Sequence, residues 1–528
     1  MKFIVFAIFI LAFLQGLQSQ PNTNISTSDY FDGEPFLAVN PQNPDNMVIA
    51  WIGVASYRVS IKTICSFDGG ISWGNVCSMP HFGATWGSAD PTLCFKNNGT
   101  LYLGYIDFTK ISPAAGGIYV AKSTNEGVSW ESPVLSFAHT EDASKLPIDR
   151  PWLVIDNSSS STAGNLYLTS KPAPWIYPPN RPYFKSSLDG GASWGDFRFV
   201  DTTDFLVGNV IAQPMASPAV TASGKLCIVY PSYLQSQSVY PRYLLASSQN
   251  GGVSFNYTVM LQQVVAGNDT NLKSGYHLAA HPTDPDKLAF ALVAKISGDE
   301  DIYVLTSANG GTSWSALKRV NKDSTSNGVL QDMPWCNYNH DGKLCVTWRD
   351  RRHASGIGFY QSNDFYAAIS EDNGVSFEQE IRLSSETAQF DSILIENGND
   401  FMSCELVGNN LLATWGDTRT GELEIYFVKH DITGTNKPNP IIVTKEAPLH
   451  IFPNPVVDGI CTIEWPYEIA SPVNVCIKSL NGTEILHSVF YQKPFVLKGL
   501  SSLKTGHYII EVRSSEKQMQ GKLFIKNE

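Results

Sequence analysis

One octapeptide recurs six times in this chain, and an internal repeat constrains an architecture more tightly than any single motif. It reads Ser66-Phe-Asp68-Gly-Gly70-Ile-Ser-Trp73, then Ser123-Thr-Asn125-Glu-Gly127-Val-Ser-Trp130, then Ser187-Leu-Asp189-Gly-Gly191-Ala-Ser-Trp194. Further copies start at Ser248, Ser307 and Ser370, so successive starts lie 57, 64, 61, 59 and 63 residues apart. The octapeptide has the chemistry of a turn. Its Asp or Asn accepts backbone N–H bonds, its Gly takes a φ that other residues resist, and its last aromatic tucks into the sheet.

The stretch before each copy also repeats. An acid and a proline lead into a strand, a turn with Gly or Asn follows, and a second strand ends in an aromatic. Asp90-Pro91 leads to Gly99–Tyr105, Asp149-Arg150-Pro151-Trp152 to Asn165–Ser170, and Asp332-Met-Pro-Trp335 to Gly342–Trp348. A third strand arrives at the octapeptide and a fourth leaves it. Four antiparallel strands per ~60 residues make a propeller blade. A seventh unit lacks the octapeptide but keeps Leu411–Arg419 and Glu422–Val428 as its second and third strands. The expected fold is therefore an all-β propeller of seven blades, with six as the alternative. The octapeptide resembles the Asp box, Ser-x-Asp-x-Gly-x-x-Trp, of the sialidase-like (BNR-repeat) propellers, and true sialidases have six blades.

Composition agrees with short strands and tight turns: aromatics make up 12%, with 41 Gly and 30 Pro. At 528 residues the chain is too long for one ordinary domain. Its net charge of −12 excludes nucleic acid as a partner, since no basic stripe is present to displace counterions from phosphates. Residues 1–19 read as a secretory signal peptide: Lys2, an apolar run from Ile4 to Leu14, then small and polar residues. That run is too short to span a bilayer and no other is longer, so no transmembrane segment is expected. The nine cysteines leave at least one unpaired in an exported chain. Cys65 with Cys77, and Cys336 with Cys345, flank hairpin turns, as disulfides or as buried thiols. No Cys/His cluster has zinc-ligand spacing, and neither a metal nor a cofactor is expected.

The repeat stops after His430, and Gly434–Pro440 reads as a linker or the route to a closing strand. Ile451-Phe-Pro-Asn454-Pro455 then opens a stretch of alternating strands that ends in Gly506-His-Tyr508 and the strand Gly521–Lys526. Across its length this region resembles the type A C-terminal sorting domain of the Bacteroidota type IX secretion system. The resemblance implies a small β-sandwich, handling by the type IX machinery, and removal of the domain with release or surface attachment. An ordinary carbohydrate-binding β-sandwich is the alternative. The expected organisation is signal peptide 1–19, propeller 20–435, linker 436–447 and sorting domain 448–528.

Strand order separates the two faces of a propeller. The boxes join strands 3 and 4, so the opposite face carries the lead-ins to strand 1 and the 2-to-3 connections. The lead-ins supply Glu34, Asp90, Asp149 with Arg150, and Asp332; the connections supply Arg58, Asp107, Lys171, Asp350 with Arg351 and Arg352, and Asp417 with Arg419. Acids and arginines on one concave face suit general acid–base work or the gripping of an anionic sugar. Asp149, Asp350 and Asp417 are the candidate catalytic residues. Arg150, Arg351, Arg419, Asp90 and Asp332 are the candidate substrate-binding ones, with Arg351 and Arg419 assigned to matching Trp-x-Asp-x-Arg corners. The same residues also suit inter-blade ties, and His277 and His281 read as strand and turn residues.

Sialidases of this type carry Arg-Ile-Pro near the first blade, and this chain has no such tripeptide. The resemblance therefore carries the propeller rather than the reaction. Two functions follow as expectations: a secreted or surface-attached glycan-directed enzyme, as glycosidase or polysaccharide lyase, or a non-catalytic glycan-binding or adhesion propeller. The expected partner is an extracellular glycan or polysaccharide.

Overall fold

In the computed structural model each ~60-residue repeat folds into one four-stranded antiparallel sheet. The structure describes residues 21–27, 30–177, 180–201, 215–232, 242–262, 275–356, 361–377, 380–389, 399, 402–433, 449–465, 472–479, 484–514 and 518–526. The signal peptide and the 436–447 linker lie outside them. The chain divides into two compact units, residues 1–436 and 437–528.

Among the described residues, the first unit holds seven four-stranded sheets. Their innermost strands are Gly33–Val39, Gly87–Phe95, Asp149–Ile155, Ser217–Val220, Tyr276–Ala280, Gln331–Tyr338 and Ser403–Val407. Each packs against the next and the seventh packs against the first, so the ring is closed. The seventh sheet takes its outermost strand from the N-terminus, where Thr23–Asn24 pairs with Phe427 and Tyr426. Closure thus comes from the start of the chain, whereas the route expected through residues 434–440 falls outside the described residues.

Hydrogen bonds stitch the ring at one recurring level. A backbone N–H of one inner strand donates to a side chain of the inner strand before it. Leu37 donates to Ser403 at 3.1 Å, Leu153 to Thr92 at 3.2 Å, Leu278 to Ser217 at 3.0 Å and Leu406 to Asn337 at 3.1 Å. Cys336 donates to His277 Nδ1 at 3.4 Å in the same way, which explains an imidazole in that strand. His281 is a turn residue, its Nδ1 accepting from the N–H groups of Thr283 and Asp284. Between sheets the core is large and aromatic, with Trp51, Trp348 and Trp415 fully buried.

The boxes form the expected turn. In the first, Ser66 Oγ accepts from Gly70 N at 2.9 Å and Asp68 accepts from Ser72 N at 2.8 Å. The second glycine touches the preceding sheet. A Cβ at Gly252 would lie 2.3 Å from the Phe184 ring, and one at Gly70 would lie 2.5 Å from Phe427. Trp130 Nε1 likewise donates to Thr63 of the sheet before it, at 3.0 Å. Each box is an inter-sheet fastener. The nine cysteines are free thiols, so neither hairpin pair is bridged.

The second unit pairs a three-stranded sheet (His450–Phe452, Cys461–Glu464, Phe495–Leu497) with a four-stranded one built on Val473–Lys478 and Gly506–Arg513. One apolar core, including Trp465, Val475, Phe495 and Ile510, lies between them. Asn454 of the Pro-Asn-Pro stretch clips onto the last strand: its Nδ2 donates to Lys522 O at 2.7 Å and its Oδ1 accepts from Phe524 N at 2.9 Å. The two ends of the sorting-type pattern therefore meet. Tyr508 Oη donates to Lys504 O, closing the Gly-x-Tyr turn.

Candidate functional site

Four residues that each precede a proline build the centre of the box-free face. Glu34, Asp90, Arg150 and Met333 have φ of 53°, 53°, 50° and 55°. At each, the inner strand slips register against its neighbour, between Gly33 and Phe36, Ala89 and Thr92, Asp149 and Trp152, and Asp332 and Trp335. A bulge re-aims a side chain, and left-handed backbone in a non-glycine residue persists only where the surroundings enforce it.

Polar contacts supply the enforcement. Arg150 N donates to Asp90 Oδ2 at 3.0 Å, and both terminal nitrogens of Arg150 donate to the Glu34 carboxylate at 3.2 Å. Glu34 N donates to Asn399 Oδ1 at 2.6 Å. Lys171, at the end of the second strand of the third sheet, closes its ammonium on Asp149. Three sheets thus contribute three carboxyls and two cations to one buried cluster. Burial pushes the Asp149 carboxyl up to about 6; Lys171 pulls it down, while Asp90, hydrogen-bonded to it, pushes it up. Burial lowers Lys171 in turn.

Asp90 and Arg150 line a narrow pocket of about 20 Å³ on the propeller axis, space for about one water, whose other walls include Tyr276, Met215, Pro91 and Pro334. Its floor is aromatic. Trp335 meets Phe36 edge-on at 5.3 Å, Trp152 lies 5.8 Å from Trp335, and His277 stacks on Trp335 at 3.8 Å. Burial lowers His277 to about 3, so this imidazole is neutral. Phe36, Trp152 and Trp335 also form the inner end of a second axial cavity, of about 440 Å³, lined by the 1-to-2 turns and hence open on the box face.

The structure brings Asp90, Asp149 and Arg150 together and separates the rest. Asp332 is gripped by Arg349 at 2.5 Å and by Arg351 at 3.1 Å. Burial alone would raise its carboxyl, but Arg349 and Arg351 hold it well below the usual range. Asp350 and Asp417 sit fully buried in corners rather than at the axis. In one, Trp348 Nε1 and Arg352 both donate to Asp350 and Arg352 lies over Tyr366; in the other, Trp415 Nε1 and Arg419 donate to Asp417 and Arg419 lies over Tyr426. The match to Arg419 is therefore Arg352 and not Arg351, a correction to the corner assignment. With both carboxylates enclosed by their own tryptophan and arginine, these corners tie strands together. Arg150, Arg351 and Arg419 do not converge, since each is held by a different carboxylate.

Two features escaped the sequence reading. Ser60 Oγ lies 2.8 Å from His81 Nε2, and His81 Nδ1 lies 2.7 Å from Asp107. This chain has the connectivity of a nucleophile, base and orienting acid, but Ser60 is 1% exposed and lines neither cavity, so it is an internal tie. The other is Glu405, an acid on the innermost strand of the seventh sheet that lines the box-face cavity. Its only signal was a lone charge within Ser403-Cys-Glu-Leu-Val407.

Among the described residues no helix is long and apolar enough to cross a membrane. No curated protein matches the chain. Solved structures similar to it include an α-L-arabinanase of Penicillium chrysogenum in complex with arabinobiose (13% identity, 78% of this chain and 98% of that one, TM-score 0.44). A GH93 α-L-arabinofuranosidase of Fusarium graminearum gives 11% identity over 78% and 97% of the chains at a TM-score of 0.43. The phage phi92 endosialidase gives 9% over 95% and 87% at 0.44. Residues 450–526 match the family described as the secretion system C-terminal sorting domain. Type IX sorting of this kind ends in secretion or surface attachment, so the chain is a secreted or surface-attached all-β propeller protein with a secretion system C-terminal sorting domain.

Proposed function

We propose that the protein is a glycan-directed propeller whose saccharide site lies at the mouth of the narrow axial pocket on the box-free face, with Asp149 as its proton donor and Asp90, hydrogen-bonded to it, holding that proton in place. One observation carries the reading: two hydrogen-bonded carboxyls, one raised to about 6, beside a pocket with an aromatic floor. Indole faces stack on the C–H faces of sugar rings, and a carboxyl that keeps its proton near neutral pH is suited to protonating a leaving oxygen. Arg150 already carries Glu34, so the pocket suits a neutral sugar better than the anionic one expected from the arginine count.

The ion pair between Lys171 and Asp149 favours a second reading, in which the carboxyl is locked and the propeller binds glycan without cleaving it. A pH–rate profile on neutral polysaccharides separates the two. A catalytic Asp149 gives activity that falls as pH rises above about 6 and disappears in Asp149→Asn. Saturable binding without turnover at any pH supports the binding propeller, and neither binding nor turnover rejects both.

A further inference from the structure

The cavity on the box face is a site of its own. At about 440 Å³ it has the size of a small-molecule pocket. Trp152 and Trp335 form its inner end, and the turns after the inner strands form its rim. No lysine or arginine is among the described residues that line it, and Glu405 is the only acid among them. Asn337 fixes that acid from the neighbouring strand. Its Oδ1 accepts from Leu406 N at 3.1 Å, which orients its Nδ2 to donate to Glu405 Oε2 at 2.8 Å, and Glu405 itself lines the cavity.

We propose that this cavity binds a compact organic ammonium group, with Glu405 as the counter-carboxylate and the Trp152 and Trp335 rings as its aromatic wall. A carboxylate without a protein cation, set beside indole rings, attracts a ligand that brings the positive charge itself. A neutral sugar would gain the stacking but not the charge pairing. Burial pushes the Glu405 carboxyl up to about 8, so the empty site holds a proton that the ammonium displaces. The other titratable groups lining the cavity are Cys94, whose thiol burial raises, His277, which burial keeps neutral, and His340. This proposal is independent of the saccharide site on the opposite face.

Calorimetric titration of the intact protein with glucosamine and with glucose tests it, because the two rings differ in one amine. The expected result is glucosamine binding at least tenfold tighter than glucose at pH 7, with net proton release seen as a buffer-dependent enthalpy. Glu405→Gln, checked for an unchanged melting temperature, is expected to abolish that preference. Equal affinity for the two rings, no binding of either, or a preference that survives Glu405→Gln with no proton release would overturn the proposal.

Discussion

Arg150, from the third sheet, closes both terminal nitrogens on the carboxylate of Glu34, from the first, at 3.2 Å. The second sheet's Asp90 accepts from the Arg150 backbone in the same place, so one arginine fastens three sheets at the axis. Glu34 is 1% exposed and Arg150 6%, so the pair lies beyond the reach of solvent screening. Arg150→Lys keeps the charge and loses the fork. It is expected to cost about 1.5–3 kcal/mol, the worth of a hydrogen bond to a charged group. Thermal unfolding measures this. An unchanged melting temperature with weakened glycan binding would mean that the arginine serves the ligand instead.

The box glycines should matter according to what lies over them. Gly252, in the fourth box, has φ 84° and its missing Cβ would meet Phe184 at 2.3 Å, whereas Gly408, in the 1-to-2 turn of the box-free seventh sheet and so a control outside the boxes, has φ 56° with open space around it. Gly408→Ala should cost about 1–2 kcal/mol for left-handed backbone alone. Gly252→Ala adds overpacking of about 1–3 kcal/mol to that strain. Chemical denaturation of both variants checks the order, and equal losses would refute the fastener role of the box.

Asp332 sets an acid limit. Its carboxyl is depressed in the folded state by Arg349 and Arg351, so its contribution is present above the unfolded value of 3.8 and is lost as pH falls toward the folded one. Asp332→Asn is expected to lower stability at pH 7 by about 1–3 kcal/mol. The gap between wild type and variant should narrow progressively below pH 4. Melting curves from pH 7 to 3 follow it, and a gap that widens in acid would reverse the assignment.

The sheets were legible because each box is a local turn and each lead-in a local pattern, both readable within a few residues. The axis was only half legible. Asp90, Asp149 and Arg150 could be placed on one face from strand order, but the Arg150–Glu34 pair joins residues 116 positions apart and no local signal announces it. The corner assignment failed on a register of one: Arg351 and Arg352 are adjacent, but the Trp-x-Asp-x-Arg spacing falls on Arg352, which donates to Asp350 and lies over Tyr366, while Arg351 turns to Asp332. Glu405 was missed because it is a lone charge in a short inner strand and lines the cavity on the face opposite the acid-proline lead-ins.

Processing gives a further test. The sorting domain and the N-terminal apolar run motivate a mature protein that begins near Gln20 and ends near residue 448. Intact-mass measurement on protein from medium or cell surface is expected to find that species. A full-length C-terminus there would contradict removal of the domain.

The most direct measurement is a titration of the mature protein with neutral polysaccharides and oligosaccharides, run in parallel on Asp90→Asn and Glu405→Gln. Asp90→Asn keeps an oxygen for the Arg150 N–H and removes the acid from the axial pocket. The expected result is saturable binding by wild type and Glu405→Gln, and binding weakened at least tenfold in Asp90→Asn at an unchanged melting temperature. Binding untouched by Asp90→Asn, or no binding to any glycan, would contradict the assignment of a saccharide site to the mouth of the box-free axial pocket.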